Sequence, residues 1–178
     1  MKKTILTLLV AIPSVIYGQF GLEIGASAFN SDLGFGSQYS ETYTGFYGQA
    51  NLKLNSLILS ASTDVNLYEE GSSATAVVSF KLGLQSNIEL GETISLSPGV
   101  KFGSYGIGYD GGASEGHLGM APGIDFVWMF TKNIGLNLGV DYNILFDGQL
   151  EGYDVEGFNY IESSIGVKLY FGDPKTSE

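Results

Sequence analysis

The feature that most constrains this sequence is an alternation of apolar and polar residues that recurs from residue 20 to residue 171. In the segment 116–130, for example, Leu118, Ile124, Phe126 and Trp128 all occupy positions of one parity. Because successive side chains of a β-strand point to opposite faces, a period of two predicts strands with one apolar face. Beyond residue 18 no segment carries a long apolar run at helical spacing. The alternation therefore predicts an all-β fold.

Eight strands are predicted from this pattern. They cover residues 20–29, 43–54, 57–68, 74–90, 93–103, 116–130, 134–146 and 158–171. Tight turns are expected near 55–56, 91–92 and 132–133, and long connections over 30–42, 104–115 and 147–157, with 69–73 of intermediate length. The glycine-rich segment 103–112 is interpreted as a flexible loop, because it lacks the Lys and the following helix of a phosphate-binding loop.

The charged residues within these strands all lie on the parity opposite to the apolar residues. They are Glu23, Lys53, Asp64, Lys81, Lys101, Asp125, Asp141, Glu162 and Lys168. A soluble barrel or sandwich would turn the apolar parity inward and the charges to water. A membrane barrel would turn the apolar parity to lipid and enclose the charges. Both architectures produce the same periodicity, so other features must decide between them.

Three features favour the membrane barrel. Glycine is frequent on the charged parity, as the crowded interior of an eight-stranded barrel requires. Aromatic residues of the apolar parity are predicted toward strand ends, where membrane barrels carry aromatic girdles: Phe20, Phe46, Phe102, Trp128, Phe130 and Phe171. Short and long connections alternate, which is the outer-membrane pattern. The predicted fold is an eight-stranded antiparallel up-and-down transmembrane β-barrel. Pro98 and Pro122 lack an N–H, so a bulge or a locally unpaired site is expected near each.

The N-terminus has the pattern of a secretory signal. Lys2 and Lys3 precede an apolar run over 5–12, and Gly18 is a candidate cleavage site. We therefore divide the chain into a signal peptide, 1–18, and a barrel domain, 19–178. The chain has 19 acidic residues, eight Lys and no Arg, which argues against nucleic-acid binding. It also has no Cys, which excludes disulfides and thiol catalysis.

The last predicted strand resembles the C-terminal insertion signal of Gram-negative outer-membrane barrels. Ser164, Gly166, Leu169 and Phe171 carry that pattern, although seven further residues follow. Together with the similar segments LSPGVKF (96–102) and MAPGIDF (120–126), the chain resembles small porin-family barrels of the OmpX/OmpA type. The resemblance implies an outer-membrane location, contact with lipid and lipopolysaccharide, and insertion by the barrel-insertion machinery.

The nine strand charges are expected to form a network inside the barrel, because an unpaired buried charge is costly. Glu23, Lys53 and Lys168 are expected to form one cluster near the periplasmic end. Eight strands enclose an interior just wide enough for side chains to fill. This favours a filled lumen over the alternative, a narrow porin-like channel for small solutes or cations.

Ten acids and no Lys lie in or beside the predicted external loops, which gives a negative rim. Asp147, Glu151, Asp154 and Glu156 are weak candidates for Ca²⁺, since their spacing lacks the EF-hand pattern; no metal or cofactor is predicted. His117, near Ser114 and Glu115, is interpreted as a polar rim residue rather than part of a triad. The predicted function is non-catalytic: structural support, surface binding, or a role accessory to an envelope complex.

Overall fold

The computed structural model describes residues 18–31, 41–70, 73–110, 112–150 and 153–171. Nearly the whole predicted signal (1–17) and the C-terminal tail (172–178) lie outside the described residues. The strands are β1 (Gln19–Ser31), β2 (Glu41–Leu54), β3 (Leu57–Glu70), β4 (Ser73–Ser86), β5 (Ile88–Glu89), β6 (Ile94–Gly108), β7 (Ser114–Met129), β8 (Ile134–Leu145), β9 (Gly148–Leu150), β10 (Tyr153–Val155) and β11 (Asn159–Phe171).

Eight long strands form the wall of a closed barrel, and every pairing is antiparallel. Each wall strand pairs with its sequence neighbours in the order β1-β2-β3-β4-β6-β7-β8-β11. The barrel closes where β1 pairs with β11, from Phe20 opposite Phe171 to Asn30 opposite Ile161. This confirms the predicted eight-stranded up-and-down barrel. The described residues include no helix that is long and apolar enough to cross a bilayer.

The side chains are distributed in the opposite way to those of a soluble protein. Leu118 is 67 % exposed and Trp128 48 % exposed on the outer surface, whereas Lys81 is 2 % exposed and Lys168 fully enclosed. A soluble barrel would pack the apolar residues in a central core and leave the lysines in water. The apolar parity therefore faces outward, and the charged parity faces the barrel axis.

The two ends of the barrel differ. Residues 55–56, 87–93 and 130–133 connect wall strands at the end that we call the turn end. Residues 32–40, 71–72, 109–113 and 146–158 connect them at the opposite loop end, where the two longest connections lie. Trp128 and Phe130 contact each other edge to face, with ring centroids 5.0 Å apart, next to one of the short turns. Phe20 and Phe171 lie 6.2 Å apart where the barrel closes. These four rings place aromatic residues around the turn end.

Several strand limits differ from the prediction. β6 continues to Gly108, so the segment 103–108 is wall strand rather than flexible loop. Its inward side chains Tyr105 and Ile107 are almost fully buried, and this packing outweighs the weak strand propensity of glycine. Because the strands extend further, Phe46 and Phe102 lie in the middle of the wall and not near its ends. The predicted 147–157 loop contains a short hairpin, β9–β10, and β9 pairs with the beginning of β7 at Glu115 and Gly116.

Both prolines of the wall lie at interruptions of a strand ladder. Pairing between β7 and β8 is absent from 121 to 122, then resumes in the same register with Gly123 opposite Asp141. On one edge of β6 the pairing partner changes from β4 to β5 around Pro98. Asn87, which lies between β4 and β5, donates its N–H to the Ser56 carbonyl and not to β6. Because the register is unchanged across each gap, both are locally unpaired sites rather than bulges, which is one of the two alternatives predicted from the sequence.

Candidate functional site

The middle of the barrel contains a buried lysine between two carboxylates. Lys81 Nζ lies 3.0 Å from Asp64 Oδ2 and 3.0 Å from Glu162 Oε2. Ser79 donates a hydrogen bond to Asp64, and Asn143 donates one of 3.3 Å to Glu162. The wall strands β3, β4, β8 and β11 supply these residues, so the cluster connects opposite parts of the barrel.

A second cluster lies beside the first. Lys101 Nζ lies 2.6 Å from Asp141 Oδ2, and both side chains are close to fully buried. Asp125, on β7, accepts a 2.6 Å hydrogen bond from the Gln85 amide. Among the described residues no lysine lies within ion-pair distance of Asp125, whose hydrogen bond comes from a neutral amide.

The third cluster lies toward the turn end and differs from the prediction. Lys168 Nζ lies 3.1 Å from Glu23 Oε2, and Glu23 also accepts hydrogen bonds from Tyr47 and Asn137. Lys53 is not part of this cluster; its Nζ lies 3.1 Å from Glu89 at the edge of the barrel. The reason is the register, because β1 and β2 pair with Gln19 opposite Lys53 and Gln49 opposite Glu23.

Two glycines make room for the phenol that reaches Glu23. A Cβ atom on Gly25 would lie 2.5 Å from Cε1 of Tyr47, and one on Gly166 would overlap the Tyr47 hydroxyl. Larger residues at either position would displace the ring from the barrel axis. The glycines on the charged parity therefore serve packing, in agreement with the crowded interior expected for eight strands.

The space left between these clusters is small. A cavity of about 10 Å³ lies among Glu23, Tyr47, Asp64, Asn137 and Asp141, with other polar side chains around it. A water molecule needs roughly 10–15 Å³ of such space. The cavity therefore has room for about one water-sized particle.

Apolar and aromatic side chains fill the interior toward the loop end. We call this set the aromatic layer: Phe29, Tyr43, Val77, Tyr105, Ile107, Leu145 and Tyr160. The ring of Phe29 stacks on Tyr43 at 4.7 Å and on Tyr160 at 4.2 Å. Tyr105 connects the layer to the charged clusters, since its hydroxyl donates a 2.9 Å hydrogen bond to Asn143.

The charge network predicted for the interior does not include this layer, although a signal for it is present in the sequence. Phe29 continues the inward parity of Glu23, and Ile107 continues that of Lys101. The inward parity thus changes from polar to apolar toward the loop end on strands such as β1 and β6. The prediction assigns one apolar face to each strand over its whole length, so it does not detect this change.

His117 lies at the loop end with the inward parity predicted for it, and it is buried rather than exposed. It is 3 % exposed, and its Nδ1 lies 2.9 Å from the Phe146 carbonyl oxygen, which can only accept a hydrogen bond. Its Nε2 lies 3.6 Å from Glu115. Ser114 has the opposite parity and faces outward, so a Ser-His-acid triad does not form here.

The acidic side chains at the loop end are mostly dispersed. Asp147 accepts a hydrogen bond from the Gly157 N–H, and Asp154 and Glu156 are exposed. Glu151, the remaining weak metal candidate, lies outside the described residues. Within the described part of the chain no group of three or more His, Cys, Asp or Glu residues is placed to hold a metal ion.

Tyr109 joins this end to β7. Its hydroxyl donates a hydrogen bond to Glu115. Burial, and then this hydrogen bond to a carboxylate, raise the pKa of the Tyr109 phenol well above its ordinary value. The phenol therefore stays neutral and keeps donating across the pH range in which surface tyrosines begin to ionise.

The four residues of the predicted insertion signal lie on the strand that closes the barrel. Leu169 and Phe171 face outward, 39 % and 50 % exposed, while Gly166 faces inward against Tyr47. Ser164 is half-buried beside the polar cavity. The strand ends at Phe171, so its final aromatic ring lies at the turn end.

Known structures with the same architecture are outer-membrane proteins. Neisserial surface protein A superposes with a TM-score of 0.66 at 18 % identity, covering 86 % of this chain and 97 % of that chain. OprG from Pseudomonas aeruginosa gives 0.63 at 13 % identity, covering 89 % and 100 %. The chain has the fold of the small outer-membrane β-barrels.

A third neighbour is Ail, the attachment invasion locus protein of Yersinia pestis, in a complex with the heparin analogue sucrose octasulfate. It superposes with a TM-score of 0.61 at 14 % identity, covering 86 % of this chain and 99 % of that chain. No protein-family model matches the chain, and no curated protein matches its sequence. At these identities the likeness describes the fold alone.

Proposed function

We propose that the chain is exported by residues 1–18 and resides in the outer membrane of a Gram-negative cell as a non-catalytic barrel. The outward apolar surface, the aromatic rings at the turn end and the fold of its structural neighbours support this location. The turn end faces the periplasm and the loop end faces the exterior, as short and long connections do in this fold. Ser164, Gly166, Leu169 and Phe171 present β11 to the barrel-insertion machinery.

The proposed barrel has a filled lumen that does not conduct. The observation that carries this proposal is the small interior cavity of about 10 Å³ between the buried ion pairs. The aromatic layer adds a second obstruction on the exterior side, since Phe29, Tyr43 and Tyr160 stack across it. A hydrated ion would have to separate both the ion pairs and the rings in order to pass.

The exterior surface is proposed to bind partners or to support the envelope. Its loops carry acids and no Lys, so the charge is opposite to that needed for a polyanion such as the one bound by Ail. A cationic surface, or lipopolysaccharide phosphates bridged by divalent ions, has the complementary chemistry. The side chains at the loop end are thus suited to a structural role or to binding at the cell surface.

Planar-bilayer recording tests the filled lumen against the narrow channel. Mature protein folded from urea should add no conductance steps above those of a lipid-only bilayer. Truncating the aromatic layer in Phe29→Ala/Tyr160→Ala should not open a path either, because the ion pairs remain. Stable, cation-selective steps from the wild type would establish the channel instead.

Ligand binding to the protein in nanodiscs tests the proposed surface chemistry. Mature protein in nanodiscs should retain cationic polypeptide such as polylysine and should not retain heparin at physiological salt. Asp154→Asn/Glu156→Gln should weaken polylysine binding, while Glu89→Gln/Glu92→Gln at the turn end serves as the charge-matched control. Heparin binding by the wild type would overturn the assignment of a cation-preferring surface.

A further inference from the structure

The wall of the barrel opens between β2 and β3 near the loop end. The ladder between these two strands stops at Thr44 opposite Leu67. β2 nevertheless continues along β1, and β3 continues along β4, so residues 41–43 and 68–70 have strand edges that do not pair with each other. We call the opening between these edges the β2–β3 notch. Backbone N–H and C=O groups on such edges need water or a ligand as a partner.

The notch combines an aromatic ring with hydrogen-bonding side chains. Tyr68 is half-buried in it, and its ring lies 5.4 Å from the ring of Tyr43, which is fully buried on the lumen side. Thr42 and Glu69 are exposed on the two edges. Thr42 donates a 2.7 Å hydrogen bond to Asn30 Oδ1, which directs the NH₂ half of that amide away from Thr42. A carboxylate, an amide and a hydroxyl beside an aromatic ring suit the hydroxyl groups and the C–H face of a sugar.

The notch continues into an apolar groove on the lipid-facing side of the wall. One cavity of about 970 Å³ is lined at the loop end by Thr42, Tyr68 and Glu69. Further along the wall its floor consists of small side chains: Ala26, Ala28, Thr44 and Ser163. Phe46 and Ile165, 77 % and 50 % exposed, border this floor nearer the middle of the wall. Cavities of about 300–1,000 Å³ lined by apolar side chains with a few polar groups are typical of small-molecule sites.

The order of the two chemistries matches the orientation of a lipid in the outer leaflet. With the loop end toward the exterior, the notch lies at the level of the headgroups and the groove at the level of the acyl chains. The connections at the loop end contain no Lys, and Glu69 adds a negative charge at the notch. A phosphate headgroup is therefore disfavoured, and an uncharged sugar has the complementary chemistry. A second copy of the barrel would cover the groove, but its apolar wall would leave the polar edges of the notch without partners.

We propose that this cavity binds one glycolipid of the outer leaflet, with an uncharged sugar in the β2–β3 notch and an acyl chain in the groove. Tyr68 lies against the sugar ring, Glu69 accepts hydrogen bonds from its hydroxyl groups, and the Asn30 amide donates one. The alanines of the floor let the chain approach the backbone of β1, which larger side chains would prevent. The inference rests on the proposed outer-membrane location, and it gives the exterior surface a ligand class that the charge of its loops alone does not specify.

Lipid retention by the mature protein in nanodiscs tests the site. Phosphatidylcholine nanodiscs contain a minor amount of monoglucosyl diacylglycerol, diacylglycerol or phosphatidylglycerol with identical chains, and native mass spectrometry counts the lipids that remain on the released barrel. The barrel should retain one glucolipid, with an affinity at least about tenfold above that for diacylglycerol, because its sugar supplies several hydroxyl partners to the notch, including those to a charged carboxylate. Equal retention of all three lipids, or a preference for phosphatidylglycerol, would overturn the proposal.

Two pairs of variants locate the ligand. Ala28→Phe fills the groove from the lipid side and should abolish the preference for the glucolipid, whereas Ala61→Phe, at an outward position that does not line the cavity, should keep it. Glu69→Ala should weaken glucolipid binding about tenfold or more, while Asp154→Ala removes a carboxylate elsewhere at the loop end and should not. Wild-type retention by Ala28→Phe, or equal losses from Glu69→Ala and Asp154→Ala, would overturn the proposal.

Gel mobility before boiling reports insertion of the barrel separately from lipid binding. A barrel that folds in the nanodiscs and retains no glucolipid refutes the site and leaves the proposed location intact. A barrel that instead forms dimers, and loses them in Ala28→Phe, uses this face for self-association, and the glycolipid site is then wrong. A chain that does not insert at all refutes the proposed location itself.

Discussion

Replacing Lys168 with Met measures how much stability the barrel loses when one partner of a buried ion pair is removed. Lys168 Nζ lies 3.1 Å from Glu23 Oε2, and the two side chains are 1 % and 0 % exposed. Met keeps most of the volume but removes the ammonium group, so Glu23 is left enclosed without its cation. Removing one partner of a buried pair costs about 3–5 kcal/mol, and we expect Lys168→Met to lower the free energy of unfolding by that amount.

The barrel contains a matched control at the same distance. Lys53 Nζ also lies 3.1 Å from its partner, Glu89, but the side chains are 22 % and 66 % exposed. Exposed pairs contribute about 0–1 kcal/mol, so Lys53→Met should change little. Lys168→Met/Glu23→Gln should recover most of the loss, because no unpaired charge then remains.

Equilibrium urea unfolding in vesicles, followed by the fluorescence of Trp128 and by gel mobility before boiling, measures these differences. The reasoning is refuted if Lys168→Met and Lys53→Met lose the same stability. It is also refuted if the double variant is no more stable than Lys168→Met, since the loss would then not come from the uncompensated carboxylate.

Further predictions follow from packing and titration. Gly25→Ala should cost about 1–3 kcal/mol by overpacking, whereas Gly48→Ala, whose Cβ would meet nothing nearer than 4.0 Å, should be neutral in the same urea assay. Because the pKa of Tyr109 is raised in the folded state, the phenol contributes fully to the free energy of unfolding below the ordinary tyrosine pKa, and this contribution declines as the pH rises above it. Tyr109→Phe should flatten the decline of stability with pH, and equal pH profiles for the variant and the wild type would contradict this prediction. Trp128, the single Trp, should be quenched by brominated lipid and not by aqueous iodide.

The wall of the barrel could be predicted from the sequence because strand parity is a local property. Lys168 illustrates this, since its neighbours Val167 and Leu169 fix which face it occupies wherever the strand lies. Sequence alone also placed the unpaired sites near Pro98 and Pro122, because a missing N–H acts at its own position. Both predictions depend only on residues within a single strand.

The contacts inside the barrel could not be predicted in the same way. The partner of Lys53 depends on the register of β1 and β2 and on where β5 returns, which parity does not specify. His117 is buried where the Phe158 ring packs edge-on against it and the Phe146 carbonyl accepts its hydrogen bond, and both come from another part of the chain. Residues 103–108 likewise form a strand because Tyr105 and Ile107 pack inside the barrel, although the local glycine content disfavours a strand.

Spin labels along β8 test most directly which face of the wall meets lipid. The chain has no Cys, so single-cysteine variants at positions 136 to 140 can be treated with a spin label in vesicles. Labels at Leu136, Leu138 and Val140 should collide with oxygen dissolved in the acyl chains, while cysteines at Asn137 and Gly139 should resist labelling in the folded barrel, because both positions face the filled interior. Collision of the Leu138 label with an aqueous nickel chelate, or the absence of a period of two, would contradict the account.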